Sequence, residues 1–167
     1  AERAVAMAKV APDDAYVGLA DPALLAKQFP DLDLLDPVVP STAELERRAI
    51  EAEAAGLAVK GVTKSGGASA SAGIGGMVLV TSTGFCGSYL RSSHGISMTA
   101  IAGEGTGMER DYDYSSAIHA SDLASPESIG AKAAERAVAR VNPRKVETCK
   151  APVVFDPRVA SSLVGHL

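Results

Sequence analysis

Gly75-Gly76-Met77-Val78-Leu79-Val80-Thr81, Gly84-Phe85-Cys86-Gly87-Ser88-Tyr89-Leu90, Ile96-Ser97-Met98-Thr99-Ala100-Ile101-Ala102 and Met108-Glu109-Arg110-Asp111-Tyr112-Asp113-Tyr114-Ser115 follow one another between Gly75 and Ser115. Each is short, rich in β-branched, aromatic or other apolar residues, and set off by glycine, which is the pattern of an antiparallel meander. In the third segment Ile96, Met98, Ala100 and Ala102 alternate with Ser97 and Thr99, so one face is predicted to be buried. Gly103-Glu104-Gly105-Thr106-Gly107 supplies the positive φ angles of a hairpin turn. The rest of the chain reads as helix packed on or beside this sheet, an α+β fold.

Helix signals flank the meander. Residues 1–10 are Ala-rich and helical by propensity, and Asp21-Pro22 is placed to cap a short helix reaching about Gln28. Phe29 to Pro37 is a connector with apolar anchors. Ser41-Thr42-Ala43-Glu44 is a capping box that opens a helix running to Ala55, with Gly56 as its C-cap and Leu45, Ala49, Ile50 and Ala54 on its apolar side. The small residues of 57–73 suit either closely packed strands or a mobile loop. Ser125 and Pro126 open a helix that runs to about Val141, before Asn142-Pro143. Ala134–Ala139 repeats the order of Ala1–Ala6, but nothing around it repeats, which argues for two similar helices rather than a duplication. Lys150 to Pro157 reads as a short buried strand leading into a helix over Arg158–His166. The resulting division is 1–148 as an α/β region with a central antiparallel sheet, and 149–167 as the start of a second, β-rich domain. Both ends read as cut, the expectation for an internal piece of a longer protein.

Composition narrows the class. With 47% apolar residues in 167 the chain has enough core to fold. A net charge of −4, with scattered Lys and Arg, argues against a dedicated nucleic-acid binder. No apolar run reaches membrane-span length. Cys86 and Cys149 form no metal-type pair and read as reduced thiols, placing the protein in the cytoplasm.

Several side chains invite a chemical reading. Glu109, Asp111 and Asp113 lie on one face of a strand with Tyr112 and Tyr114 opposite, a pattern that suits a metal site or a surface for a cationic peptide. The plainer reading, a solvated acidic face over half-buried tyrosines, is preferred. His94 and His119 lack a spacing partner and read as exposed or hydrogen-bonded histidines. The glycine-rich stretches continue into neither a phosphate-loop nor a dinucleotide-binding pattern, and none of the serine pairs lies in Gly-x-Ser-x-Gly.

Taken together, Thr81-Ser82-Thr83-Gly84-Phe85, Arg110-Asp111-Tyr112-Asp113-Tyr114-Ser115, Asp122-Leu123 with Ser125-Pro126-Glu127, Ala133 to Ala137, and Pro152-Val153-Val154-Phe155-Asp156-Pro157 leading to Gly165-His166-Leu167 resemble the TldD/PmbA family, in particular its PmbA (TldE) branch. Asp14 to Leu19 with Ala20-Asp21 also fits. The resemblance runs through nearly the whole chain in order, and Arg110–Ser115 is its most specific part. It implies an α/β N-terminal region before a β-rich C-terminal domain. It also implies a heterodimer in which a TldD-type subunit with a His-Glu-x-x-x-His zinc motif degrades or trims unfolded peptides beside a PmbA/TldE-type partner. The family's older name, modulator of DNA gyrase, does not require contact with DNA.

The motif positions of that family correspond here to Ser161-Ser162-Leu163-Val164-Gly165-His166. A zinc peptidase needs protein ligands and a carboxylate to activate bound water, and two hydroxyls with one imidazole do not supply them. The resemblance therefore implies a non-catalytic subunit without metal of its own, zinc in the partner subunit, and an unfolded peptide as substrate. Residues 109–114 are the proposed partner or substrate surface. The alternatives are a metallopeptidase with ligands outside this stretch, and an interaction module for gyrase or toxin–antitoxin partners.

Overall fold

In the computed structural model, described for residues 1–18 and 20–166, two helices cover one face of a three-stranded antiparallel sheet. The helices are α1 (Glu2–Val10), α2 (Thr42–Leu57), α3 (Pro126–Arg140) and α4 (Pro157–Val164), and the strands are β1 (Val62–Val80), β2 (Cys86–Ala102) and β3 (Glu109–Ala117), in the order β1-β2-β3. The fold is α+β, as expected. From Cys86 the second segment and Ile96–Ala102 prove to be parts of one strand, β2, and the small-residue run from Val62 onward is part of β1 rather than a loop. Serine, alanine and glycine in alternation still pair because β2 provides a ladder from Val62 opposite Ala102 to Val80 opposite Cys86, broken by register shifts at Thr63 and Gly66.

The core forms where the pattern predicted. Ile96, Met98, Ala100 and Ala102 point from β2 into a cluster with Ala52 of α2 and Ile129, Ala133, Ala134 and Ala137 of α3. Most of these side chains are small, so the helices must sit close to each other and to the sheet to fill the space. Gly56 and Gly130 permit that approach. Gly56 is not the helix terminus expected for it; it lies inside α2, which runs on to Leu57. A methyl group there would stand 2.5 Å from Met98 Cε, and one on Gly130 would stand 2.0 Å from the Ala52 carbonyl oxygen. The buried stripe of α2 is consequently Ala52 and Gly56, and Ile50 and Ala54 face solvent instead.

Local capping follows the sequence at most ends. Ser125 Oγ accepts the Ser128 amide with Pro126 in the first turn, and Ser41 Oγ accepts the Glu44 amide at 3.2 Å. The Glu44 carboxylate does not complete the capping box, because Arg47 and Arg48 on its own helix engage it and hold its pKa down to about 2. Asp21 caps only the single turn Pro22–Leu24. Gly103 and Gly105 take the positive φ angles required between β2 and β3. Residues 150–157 do not form the expected buried strand: 143–156 carry no helix or strand and are exposed, since no edge among the described residues pairs with them. α4 then forms as predicted, with Asp156 accepting the Arg158 amide at its start. Cys86 and Cys149 are free thiols.

Candidate functional site

β3 is the strand the sequence singled out, and its faces are reversed from expectation. Asp111 and Asp113 are each 8% exposed, whereas Tyr112 and Tyr114 are about half exposed. The register explains the reversal: Asp111 stands opposite Ala100 and Asp113 opposite Met98, so the carboxylates share the core-facing side of the sheet. They are accommodated because α3 presents arginines to them. Arg136 pairs with Asp113, and Arg140 reaches Asp111 at 3.4 Å and Glu109 at 3.6 Å. Arg158 from α4 completes the cluster, donating to Asp111 Oδ1 and to the Tyr112 carbonyl, each at 2.9 Å. Its guanidinium carbon also lies 5.1 Å from the centre of the Tyr112 ring. Buried carboxylates persist when paired and hydrogen-bonded in this way. Burial pushes the Asp111 carboxyl upward, but the Arg158 and Arg140 guanidinium groups and the Tyr112 amide outweigh it and hold it below the ordinary value. On the opposite face Tyr112 and Tyr114 stack with their centres 6.3 Å apart, beside exposed Arg110.

The arginines were missed at the sequence level, although Arg136 and Arg140 are four apart on a predicted helix, next to Ala133 and Ala137. That spacing places a basic ridge along the edge of the buried stripe. Since the carboxylates are already neutralised by three arginines, the acidic strip is not a free cation surface. Among the described residues, no group of three or more His, Cys, Asp or Glu side chains converges as a metal site.

A second polar centre lies where the segment Phe29–Val38 crosses the sheet. Ser92 Oγ donates to the Ile118 carbonyl and accepts the Asp36 amide, each at 2.8 Å, and the Ser92 amide donates to the Leu34 carbonyl. Asp36 Oδ1 accepts the Val38 amide and Oδ2 the Ala120 amide. These amides hold the Asp36 carboxyl below its usual pKa against the opposing effect of burial, with His94 and His119 adding to the lowering. His94 is buried, not exposed, with Nε2 3.2 Å from Asp36 Oδ2. His119 Nε2 donates to the Asp33 carbonyl, which raises its pKa. The Ser92 hydroxyl is committed to backbone partners, so Ser92 and Asp36 form a tether and not a nucleophile, while neither ring nitrogen of buried His94 makes a hydrogen bond among the described residues. Beyond the tether, an open groove of about 1340 Å³ separates Phe29–Leu35 from the distal half of the β1–β2 ribbon. Phe29 closes on Phe85 with ring centres 5.6 Å apart.

The motif-like positions lie on and just after α4. Ser161, Ser162 and His166 are exposed, and the Ser162 hydroxyl donates to the Val159 carbonyl. Two hydroxyls and an imidazole on this surface do not fit a catalytic zinc. Leu19 and Leu167, which belong to the family-like segments, lie outside the described residues.

An α+β domain with a long β-ribbon, an arginine-locked acidic strand and a helix-covered core of small residues is thus the class of protein defined here. Residues 35–141 match the profile of the PmbA/TldA metallopeptidase central domain, so the chain belongs to the PmbA/TldD metallopeptidase family. It is 41% identical over 167 residues to Metalloprotease PmbA of Escherichia coli O157:H7 and 35% identical over 166 residues to the Metalloprotease PmbA homolog of Haemophilus influenzae. In both cases 99% of this chain is covered and it spans 37% of the relative's length. A Bacteroides thetaiotaomicron crystal structure assigned as a modulator of DNA gyrase superposes with a TM-score of 0.83 at 25% identity, covering 98% of this chain and 38% of that one. A Thermotoga maritima structure assigned likewise shares the fold, with a TM-score of 0.66 at 18% identity over 87% of this chain and 32% of its own. Among the described residues no helix is long and apolar enough to cross a membrane.

Proposed function

We propose that this chain is part of a PmbA/TldE-type subunit that carries no catalytic zinc itself and, paired with a TldD-type peptidase in the cytoplasm, encloses an unfolded peptide for cleavage. The observation that carries this reading is the donor set at the motif-like positions. Ser161 and Ser162 stand where a zinc peptidase of the family needs an imidazole and a carboxylate, and only His166 retains a ligand type. The role left to this region is structural. The outer edges of β1 and β3 have no strand partner among the described residues, and β1 extends for 19 residues. Such an edge holds an extended peptide through main-chain hydrogen bonds with little demand on its sequence. Zinc then belongs to the partner subunit, and no nucleic acid is involved.

The name Metalloprotease PmbA, carried by the relatives, favours a second reading in which the full-length parent is itself a peptidase with ligands outside these residues. One experiment separates the two. Cleavage of an unfolded polypeptide is followed with the TldD-type subunit while the full-length parent of this chain is titrated in, with the parent alone as control. Activity confined to the mixture and saturating near equimolar supports the subunit reading. Chelator-sensitive cleavage by the parent alone overturns it. Silence in both arms moves the weight to an interaction module, tested by pull-down without the peptidase.

A further inference from the structure

Helix α4 is attached to the domain in an unusual way. No residue of α4 is buried, and residues 142–156 before it are all exposed. Among the described residues, no apolar core fixes its position. Arg158 and Ala160 are partly covered, and it is the Arg158 side chain, 21% exposed, that makes the polar contacts with the sheet. Its receptor on β3 has three complementary parts: the Asp111 carboxylate, the Tyr112 carbonyl and the Tyr112 ring. The guanidinium engages all three at once: Nη1 alone donates to both the carboxylate and the carbonyl, and the guanidinium carbon lies over the aromatic ring. Asp156 accepts from Arg158 Nε at 3.2 Å and caps the helix through the Arg158 amide, so helix start and side-chain direction are set together. Arg136 donates to the same Tyr112 carbonyl, and Arg140 to the other oxygen of Asp111.

We propose that Arg158 is the latch that positions α4 on the sheet, with Asp111 and Tyr112 as its receptor, so that charge on β3 rather than hydrophobic packing determines where the chain runs after residue 157. This assigns a purpose to the inward carboxylate of the Arg110–Ser115 run, which would otherwise be a costly group to place against the core. In the peptide-enclosing reading the latch also orients the α4 surface bearing Ser161 and Ser162. The latch itself stands or falls independently of that reading.

The test is hydrogen exchange on the full-length parent, comparing wild type with Arg158→Ala and Arg158→Lys. Arg158→Ala is expected to speed exchange over 157–164 by about tenfold, the size of effect that goes with losing a charge-assisted hydrogen bond. Exchange over 96–102 and 129–137 should stay unchanged, which shows that the domain remains folded. Arg158→Lys should fall between, because an ammonium keeps the charge but loses the guanidinium's contact with the Tyr112 ring and its Nε bond to Asp156. Raising the salt concentration should speed 157–164 in the wild type and leave Arg158→Ala unaffected. Unchanged exchange over 157–164 in Arg158→Ala, or equal loss in both variants with no salt effect in the wild type, overturns the latch.

Discussion

Replacing Gly130 by alanine isolates the feature on which the core depends. In an exposed helix this substitution stabilises by about 1 kcal/mol, because alanine has the higher helix propensity. Here the added methyl carbon would lie 2.0 Å from the Ala52 carbonyl oxygen and 2.9 Å from the Gly56 amide nitrogen. Both obstacles are backbone, so no rotamer change relieves them, and α2 and α3 must separate by about 1 Å before the contact becomes tolerable. That gap would weaken the dispersion contacts among Ala52, Ala133, Ala134 and Ala137, all of which are inaccessible to solvent. Overpacking of this kind costs about 3 kcal/mol, leaving a net loss of about 2 kcal/mol after the propensity gain. Read as hydrogen exchange at the amides of Ala133, Ala134 and Ala137 in the full-length parent, that is roughly a thirtyfold acceleration. Gly56→Ala should cost less, because its nearest obstacle is the flexible Met98 side chain at 2.5 Å. Gly107→Ala, with no atom within 4 Å of the new carbon, should stay within about 0.5 kcal/mol of wild type. Slower exchange in Gly130→Ala would refute the reasoning, since it would mean that propensity outweighs the close crossing.

Three further perturbations probe the rest of the domain. Met98→Ala removes the largest side chain that is fully buried and should destabilise the domain by about 2–5 kcal/mol in a denaturant titration. Ser92→Ala leaves the Asp36 amide and the Ile118 carbonyl without their partner, at a cost of about 1–3 kcal/mol, seen as accelerated exchange of the Ser92 amide that bonds Leu34. The pH dependence of that same amide has a defined sign on each side. Asp36 has a lowered pKa, so its contribution is present above the ordinary value of 3.8 and is lost as pH falls through the folded value. His119 has a raised pKa, so its contribution is complete below 6.5 and is lost as pH rises through the folded value. After correction for intrinsic exchange, protection should peak between about pH 4 and 6.5, and protection that rises steadily past neutrality would contradict the assignment of His119.

Legibility in the sequence followed the reach of each interaction. The alternation from Ile96 to Ala102, the Ser125-Pro126 helix start and the glycine turn at 103–107 are decided within a few residues, and each formed as read. Gly56 shows where that reach ends. Within its own segment it reads as a helix terminus, because glycine commonly ends helices. Its actual role depends on Gly130, which is distant in sequence and offers the matching gap. The same limit explains residues 150–157. Apolar β-branched residues give a strand signal, but a strand exists only when an edge pairs with it, and none does here among the described residues.

The acidic strip sharpens the point, because its faces were assigned the wrong way round for a sound local reason. Charged residues are seldom buried and tyrosines often are, so a strand reading Glu109-Arg110-Asp111-Tyr112-Asp113-Tyr114 should turn its carboxylates outward. The register with β2 overrules that preference: once Ile96, Met98, Ala100 and Ala102 face the core, antiparallel pairing carries Asp111 and Asp113 to the same side. The cost is offset by arginines, and Arg136 and Arg140 sit one helical turn apart beside the buried alanines of α3. An acidic residue at every second strand position and a basic one at every fourth helix position are each unremarkable alone. Together they predict a strand and a helix joined by ion pairs along the margin of a small-residue core. Arg158 extends that pairing to a helix with no buried residue of its own, which turns an ion pair at the core's edge into the means by which the chain's direction is set.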